Sequence, residues 1–236
     1  MTPARDSRSG PTGIGSPTAG PAHPPSDRTK RAIDVASSVL ALVVLGPVMV
    51  GTALAIRMTM GAPVLFRQVR PGLRGAPFEL VKFRTMSGDV GPDGLLRPDE
   101  IRITPLGRVL RRLSLDEFPQ LLNVLKGEMS LVGPRPLLLE YLPRYTRDQA
   151  RRHEVRPGVT GWAQVHGRRR LPMAERFALD VWYVDHRSTG LDIRILLLTI
   201  RRVLSGLGVE PLATTEPDPF QSQPLEEGES GRRDVP

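Results

Sequence analysis

The chain has 236 residues, a formal net charge of +8 and no cysteine. This length suffices for one domain with a hydrophobic core and is short for two domains of ordinary size. The positive charge favours acidic partners such as nucleic acid, anionic lipids or phosphorylated substrates, and the lack of cysteine excludes disulfides, thiolate metal sites and cysteine nucleophiles.

The two ends of the chain differ in composition from its middle. Residues 1–27 are rich in proline, glycine, serine and threonine and are predicted to form a disordered leader. Residues 213–236 are polar and carry several glutamates and aspartates, which predicts a flexible acidic tail. Between them we distinguish an apolar segment, 28–57, and a folded domain, 58–212.

The apolar segment has no charged residue from Val35 to Ile56. A helix over this stretch would reach roughly 33 Å, about the hydrocarbon thickness of a bilayer. It fits a cleaved signal peptide, a single membrane span or a re-entrant helix that returns to the side it entered. Ala53-Leu54-Ala55 resembles a signal-peptidase site, but the segment is longer than the usual apolar region of a signal peptide.

Gly46 and Pro47 lie in the middle of the apolar segment. Proline removes a backbone donor and clashes with the preceding turn, so a kink is predicted there. Basic residues flank both ends of the segment, and basic flanks favour the cytoplasmic side of a membrane. These residues are Arg28, Lys30, Arg31, Arg57, Arg67, Arg70 and Arg74. A kinked re-entrant helix with both ends on the cytoplasmic face is the favoured prediction.

A small β-hairpin is predicted after the apolar segment. The β-prone runs Val64 to Val69 and Phe78 to Thr85 are separated by glycine-containing turns, and Lys82 lies on the second run.

A basic helix is predicted to begin at Thr104, as its cap, and Pro105, which suits the first helical position. The residues that follow have helical spacing. Its apolar face comprises Leu106, Val109, Leu110 and Leu113. Its opposite face comprises Arg108, Arg111 and Arg112.

Asp116 and Glu117 precede a run of helical spacing that ends at Gly127, so both carboxylates are predicted at a helix start, where the positive field favours their ionised forms. An ionised aspartate can attack phosphorus, and a neighbouring glutamate can hold Mg²⁺. Ser114-x-x-Glu117 is also the pattern of a capping box, in which the side chains merely satisfy backbone donors. Pro119 weakens this alternative, because it would lose a backbone hydrogen bond in that register.

Arg135 stands between two prolines, and a rigid Pro-Arg-Pro run can direct a guanidinium toward phosphate oxygens. The alternative is a surface turn with a solvated arginine. Downstream, Gly158 and Gly161 permit close backbone approach, and Trp162 is expected to stack or to pack in the core. The apolar run from Leu191 to Leu204 is too short to span a membrane and predicts either an interfacial amphipathic helix or a buried core helix.

Four short motifs follow one another along the chain. They are Lys82-Phe83-Arg84-Thr85-Met86, Ser114-Leu115-Asp116-Glu117-Phe118-Pro119-Gln120, Gly133-Pro134-Arg135-Pro136 and Arg156-Pro157-Gly158-Val159-Thr160-Gly161-Trp162-Ala163-Gln164-Val165. With them the chain, from about Lys30 to Thr215, resembles the bacterial sugar transferase family. These small monotopic enzymes move a hexose 1-phosphate from a nucleotide sugar to a polyprenyl phosphate carrier.

The resemblance implies roles for particular residues. Asp116 would be the nucleophile that forms a phosphosugar-enzyme intermediate, and Glu117 would help to bind Mg²⁺, the expected cofactor. The family's other functional positions, expected to bind substrate or its phosphates, match Lys82, Arg111, Arg135 and Asp192. Each of the three cations has a solvent-facing alternative, and Asp192 could instead belong to a helix-start pair with Thr189. The family usually has asparagine where this chain has His166, so the role of that position is open.

These features together predict an α+β fold, mainly helical with a small β-hairpin, an N-terminal proline-kinked re-entrant membrane helix and amphipathic interfacial helices. By resemblance, the domain would act at the cytoplasmic face of the cell membrane. It would transfer a sugar 1-phosphate from a UDP-sugar to undecaprenyl phosphate, releasing UMP, in the first membrane step of exopolysaccharide or glycoconjugate synthesis. The alternatives are a non-catalytic membrane-anchored polysaccharide assembly factor and a basic nucleic-acid-binding protein. Only 5% of the residues are aromatic and no binding module is recognisable, so a nucleic-acid partner is not expected.

Overall fold

The computed structural model describes residues 27–167 and 171–205. The predicted leader, up to residue 26, and the predicted acidic tail lie outside these ranges. Within them α-helices dominate and two small two-stranded sheets occur, which confirms the predicted mainly helical α+β class.

The helices and strands are named in chain order. The α-helices are α1 (Asp27–Met60), α2 (Asp99–Arg102), α3 (Pro105–Arg112), α4 (Gln120–Lys126), α5 (Arg147–Ala150), α6 (Trp162–His166), α7 (Met173–His186) and α8 (Thr189–Leu204). The strands are β1 (Leu65–Pro71), β2 (Pro77–Phe83), β3 (Ser130–Val132) and β4 (Gly158–Thr160). Short 3₁₀ helices connect several of them.

Helix α1 is continuous over 34 residues and includes Gly46 and Pro47. Only 11% of its most apolar stretch is buried, and it is the one helix in the described ranges that is long and apolar enough to cross a membrane. Because the helix is uninterrupted at Pro47, the kink and re-entry expected there remain predictions.

The N-terminal end of α1 is held to the folded domain by polar contacts. Lys30 Nζ forms an ion pair with Asp192 of α8 at 2.6 Å. Arg31 donates to the carbonyl oxygen of Leu125, near the end of α4, at 2.7 Å. The buried carboxylate of Asp34 accepts from a backbone N–H of β3. These contacts join α1 to three different elements of the domain.

The C-terminal end of α1 is held by apolar packing. Ile56 is completely buried and packs with Phe83 of β2 and Leu110 of α3. Arg84 donates to the carbonyl oxygen of Gly61, just after the helix, at 3.1 Å. Helix α1 therefore contacts the domain at both ends, whereas valines and leucines along its middle are exposed.

The predicted β-hairpin is confirmed, with strand ends shifted by a few residues. Strands β1 and β2 pair in antiparallel register, and Lys82 lies opposite Phe66. Buried Phe78 and Leu80 pack with Val124 of α4. This packing sets the position of Lys82 relative to α4.

Helix α3 begins as predicted, because the Thr104 side chain accepts from the backbone N–H of Gly107 at 2.9 Å. Leu110 is buried, but Val109 and Leu113 of the predicted apolar face are about half exposed, so that part of the prediction is wrong. The helix instead packs closely through its backbone. A Cβ atom at Gly107 would lie 1.9 Å from the carbonyl oxygen two residues after β2.

Strands β3 and β4 pair in parallel. This pair was not predicted, because strands of three residues are too short to show an alternating pattern. Glycines bring the surrounding backbones together, as predicted. A Cβ atom at Gly158 would lie 2.1 Å from the nitrogen of Gly133, and one at Gly161 would lie 2.2 Å from its oxygen. The loop that carries Arg135 is therefore packed directly against the β4 segment.

The C-terminal helices complete the core. Trp162, Tyr183 and Ile195 are buried in one cluster, which confirms core packing for the tryptophan. Helix α8 begins at Thr189, with the Ser188 side chain as its cap. One face of α8 is buried at Ile195, and another exposes apolar side chains at helical spacing. These exposed side chains are Ile193, Leu197 and Ile200.

The glycine contacts predict a position-specific effect on stability. Gly158→Ala should lower the free energy of unfolding by about 2 kcal/mol or more, because its Cβ would overlap the backbone of Gly133. Gly190→Ala is the matched control, since its Cβ would meet nothing within 4 Å, and it should leave stability equal or slightly higher. Chemical denaturation of the detergent-solubilised proteins measures both, and equal stability of the two variants would contradict the packing described.

Candidate active site

Asp116 and Glu117 lie in a short 3₁₀ helix, Leu115–Glu117, that precedes α4. Ser114, at its start, has a left-handed backbone with φ 55° and makes no capping hydrogen bond with its side chain. The capping-box alternative is therefore wrong. The left-handed residue turns the chain at the end of α3, and α4 starts only after Pro119, so the carboxylates occupy a separate turn between the two helices.

Glu117 is the centre of the charged contacts at this turn. Its Oε1 atom accepts from Arg135 Nη2 at 2.6 Å and lies 3.4 Å from Lys82 Nζ. Lys82 comes from β2 and Arg135 from the loop after β3. One carboxylate therefore joins three separate segments of the fold, and neither cation is simply solvent-facing.

Arg111 lies at the end of α3 and is oriented by Thr85. Its Nε atom donates to the buried Thr85 hydroxyl at 3.0 Å. Its positive charge lowers the pKa of Asp116, as do the charges of Lys82 and Arg135. The fold thus brings five of the predicted site residues together, three cations around two carboxylates, and the role of each in a reaction remains a prediction.

The protonation of Asp116 differs from the expectation that its position favours the ionised form. Burial raises the pKa of Asp116 first, and the negative charge of Glu117 raises it further, to about 6 in spite of the three cations. At neutral pH such a carboxylate is still mainly ionised and is more basic than an ordinary aspartate. This combination suits a nucleophile at phosphorus.

Lys82 is also affected by burial. Desolvation lowers the pKa of Lys82 most, the charges of Arg135 and Arg70 lower it further, and Glu117 and Asp116 partly offset these effects. Arg70 of β1 was not predicted as a site residue, because its position in the hairpin relative to Lys82 depends on the strand register. Its charge adds to a positive environment that suits a diphosphate.

Asp192 forms its contacts at a different set of elements. Its carboxylate pairs with Lys30 of α1 and accepts from the Tyr183 hydroxyl at 2.7 Å. It is not held as a helix-start pair with Thr189, because Ser188 caps α8. In the structure Asp192 connects α1 to the core, and its predicted part in substrate binding remains a prediction.

His166 packs against Trp162. The two ring centroids are 3.9 Å apart, and His166 Nδ1 lies 2.9 Å from the Trp162 carbonyl oxygen. Trp162 also stacks on Trp182, with centroids 4.9 Å apart. The histidine thus extends an aromatic stack at the end of α6.

The described residues contain no group of three or more histidine, aspartate or glutamate side chains that could hold a metal ion by themselves. Mg²⁺ does not need such a group, because it is commonly bound by one or two carboxylates together with substrate phosphates. Asp116 and Glu117 supply two hard oxygen donors in the same turn. The donor set fits Mg²⁺ delivered with a diphosphate substrate.

The sequence pattern of the bacterial sugar transferase family matches residues 25–206, which include every element that forms this site. The chain belongs to that family. The match covers every residue that the structure describes and leaves the nucleic-acid-binding alternative without support.

Individual relatives of this sugar transferase agree with the family match. An uncharacterized sugar transferase, EpsL, of Bacillus subtilis is 54% identical over 181 residues, which cover 77% of this chain and 90% of the relative. A UDP-glucose:undecaprenyl-phosphate glucose-1-phosphate transferase of Caulobacter vibrioides is 42% identical, with 76% and 71% covered. A UDP-N-acetylgalactosamine-undecaprenyl-phosphate N-acetylgalactosaminephosphotransferase of Aeromonas hydrophila is 38% identical, and the match covers 76% of this chain and 44% of that protein.

The raised pKa of Asp116 predicts that this residue lowers stability at neutral pH. A carboxyl whose pKa is higher in the folded than in the unfolded protein destabilises the fold when it is ionised, and this cost disappears when the pH falls below the unfolded value near 4. At pH 7.5, Asp116→Asn should therefore have a free energy of unfolding higher than that of the wild type by on the order of 2 kcal/mol. Chemical denaturation measures this difference, which should vanish toward pH 4.

The control for this prediction is Asp148→Asn, which changes an exposed aspartate of α5. It should leave stability unchanged across the same pH range. Equal stability of Asp116→Asn and wild type at pH 7.5 would contradict the buried, desolvated environment of Asp116.

Proposed function

We propose that this sugar transferase transfers a sugar 1-phosphate from a UDP-sugar to undecaprenyl phosphate, giving a lipid diphosphate-sugar and UMP. The observation that carries the proposal is the turn in which Asp116, with its raised pKa, lies beside Glu117, itself held by Lys82 and Arg135. The activities for which the Caulobacter and Aeromonas relatives are named support the same class of reaction with different sugars. The donor is therefore proposed as a UDP-hexose.

The reaction proceeds in two displacements at one phosphorus atom. An oxygen of Asp116 forms a bond to the phosphorus that carries the sugar, and the bond from this phosphorus to the bridging oxygen breaks, so UMP leaves with that oxygen. An oxygen of undecaprenyl phosphate then attacks the same phosphorus, and the Asp116 carboxylate is released. Covalent catalysis of this kind divides one displacement into two.

The surrounding residues provide binding and charge. Arg135 and Lys82, which contact Glu117, and Arg111, which acts on Asp116, offset the charge of the diphosphate while an anionic carboxylate approaches phosphorus. Mg²⁺, when bound through Glu117 and the diphosphate, supplies further positive charge at the leaving phosphate. The guanidinium of Arg135 can grip two phosphate oxygens at once.

The proposal places the domain at the cytoplasmic face of the membrane, with α1 as a re-entrant anchor. A straight helix would separate Arg31 and Ile56 by about 37 Å. Arg31 nevertheless contacts α4, and Ile56 contacts β2 and α3. Strand β2 lies directly against α4, where the Val81 N–H donates to a side chain of that helix. A helix that bends at Pro47 brings both ends to these neighbouring elements and keeps both on one side of the bilayer.

Helix α8 is proposed as the interfacial amphipathic helix. Ile193, Leu197 and Ile200 form an exposed apolar stripe, and Arg194 and Arg201 lie on the same helix. Apolar side chains in the acyl boundary with arginines at headgroup level are typical of such helices. The buried Ile195 ties the other face to the core.

The proposed reaction predicts release of UMP that depends on Asp116. The full-length protein is incubated in detergent with Mg²⁺, undecaprenyl phosphate and separate UDP-hexoses, and UMP and labelled lipid are measured. Asp116→Asn should lower turnover by at least about 1,000-fold, because it removes the nucleophile. The control Asp148→Asn should keep wild-type turnover.

The same proteins test the covalent step. Without the lipid acceptor, the wild type should release about one UMP per chain and gain the mass of one sugar phosphate, whereas Asp116→Asn should gain none. UMP release that requires the lipid would contradict the two-step reaction. No turnover from folded wild type with any UDP-hexose would instead favour the non-catalytic assembly factor.

The lack of native cysteine makes the membrane topology directly testable. Single variants Arg28→Cys and Arg67→Cys place one thiol in the first turn of α1 and one on β1, after α1, both at exposed side chains. In intact spheroplasts, a membrane-impermeant maleimide should label neither thiol, and after lysis it should label both. Labelling of one thiol from outside would indicate a single span, and loss of residue 28 from the mature chain would indicate a cleaved signal peptide.

A further inference from the structure

A buried ion pair lies behind the loop that carries Arg135. Arg152 Nη2 donates to Asp180 Oδ2 of α7 at 2.7 Å, and the two side chains are 2% and 5% exposed. Burying two charges is costly unless their hydrogen bonds are well satisfied. The nearby pair between Arg151 and Asp185, by contrast, lies on the surface.

The same Arg152 guanidinium holds the backbone of the loop. Its Nη2 atom also donates to the carbonyl oxygen of Arg135 at 2.7 Å. The prolines on either side of Arg135 have no N–H group, so the loop is held largely through its carbonyl oxygens. The carbonyl oxygen of Pro134, one residue earlier, accepts from the backbone N–H of Gly158 at 3.0 Å. Arg152 and Gly158 therefore fix two successive peptide units.

The orientation of Arg152 is itself fixed on several sides. Its Nη1 atom donates to the Tyr145 hydroxyl at 3.0 Å. The guanidinium lies 5.7 Å from the ring centre of Tyr145 and 5.4 Å from that of Phe177, within the range of cation–π attraction. The planar fork of an arginine can make these bonds in fixed directions at the same time, which the single ammonium of lysine cannot.

We propose that Arg152, held by Asp180 and Tyr145, is a positioning residue that fixes the backbone of Arg135 and thereby aims its guanidinium at Glu117 and the substrate diphosphate. The inference rests on the proposed function for the identity of that diphosphate. The side chain of Arg135 is 39% exposed, so its direction depends on how firmly its own backbone is held. A displacement of about 1 Å at a substrate-binding group can cost a factor of about 100 in rate.

The first variant is Arg152→Lys, which keeps a positive charge beside Asp180 and loses the fork. We expect kcat/KM for the UDP-hexose to fall by about 10- to 100-fold. The matched control is Arg151→Lys on the same 3₁₀ turn, which changes only the exposed pairs with Asp185 and Glu154. It should leave kcat/KM unchanged.

A double-mutant cycle with Arg135→Ala separates positioning from a merely structural role. If Arg152 acts through Arg135, then Arg152→Lys should cost less than about threefold once the Arg135 side chain is gone. Losses that multiply in the double variant would overturn the proposal. Should Arg152→Lys fail to fold, Tyr145→Phe enters the same cycle, since it removes one hydrogen bond to Arg152 and keeps the aromatic ring.

Affinity for UDP in the presence of Mg²⁺, measured by calorimetry on the same variants, provides a readout that needs no turnover. Arg152→Lys should weaken UDP binding in the wild-type background and have little effect in the Arg135→Ala background. A wild type without transfer activity would contradict the proposed function, while the UDP cycle would still decide the positioning role. The positioning role would be overturned if Arg152→Lys left UDP affinity unchanged, or if it weakened UDP binding equally in the wild-type and Arg135→Ala backgrounds.

Discussion

The geometry of the site depends on one carboxylate, that of Glu117, which binds two cations. Glu117 binds Arg135 from the loop after β3 and Lys82 from β2. Each cation lies on an element whose packing does not involve Glu117. The hairpin packs against α4, and the loop packs against the glycines in and after β4. The packing of these elements sets the mutual placement of the charges, as the proposed phosphate site requires.

Burial shifts the pKa values of the acidic and the basic groups of the site in opposite directions. It raises the pKa of Asp116 and lowers the pKa of Lys82, so both groups are less easily charged than in water. The proposed diphosphate substrate would add negative charge beside the three cations around Asp116. The buried charges thus cost stability in the folded protein alone and suit the diphosphate of the proposed reaction, in line with the usual conflict between stability and activity.

Local signals predicted local structure well. Thr104 and Pro105 marked the start of α3, Gly127 marked the end of α4, and turn residues separated the strands of the hairpin. The family motifs predicted Lys82, Arg111 and Arg135 as site residues, and the fold places all three around the two carboxylates. Features that depend on distant contacts were not predictable. The strands of the β3–β4 pair are too short to show a pattern. Ser114 adopts a left-handed backbone that is usual for glycine or asparagine. Arg151 and Arg152 are identical neighbours in the sequence, so it does not show which of them is buried.

Helix α4 has only seven residues and is about 10 Å long. Two residues separate its first turn from Asp116 and Glu117, and carbonyl groups near its other end accept hydrogen bonds from the guanidinium of Arg31 in α1. The contact of Arg31 with α4 is thus separated from the two carboxylates by about two helical turns. If α1 lies in a membrane as proposed, a change in its tilt, imposed by bilayer thickness or by a detergent micelle, would reach Asp116 and Glu117 through α4, and the lipid environment would then influence the geometry of the proposed site.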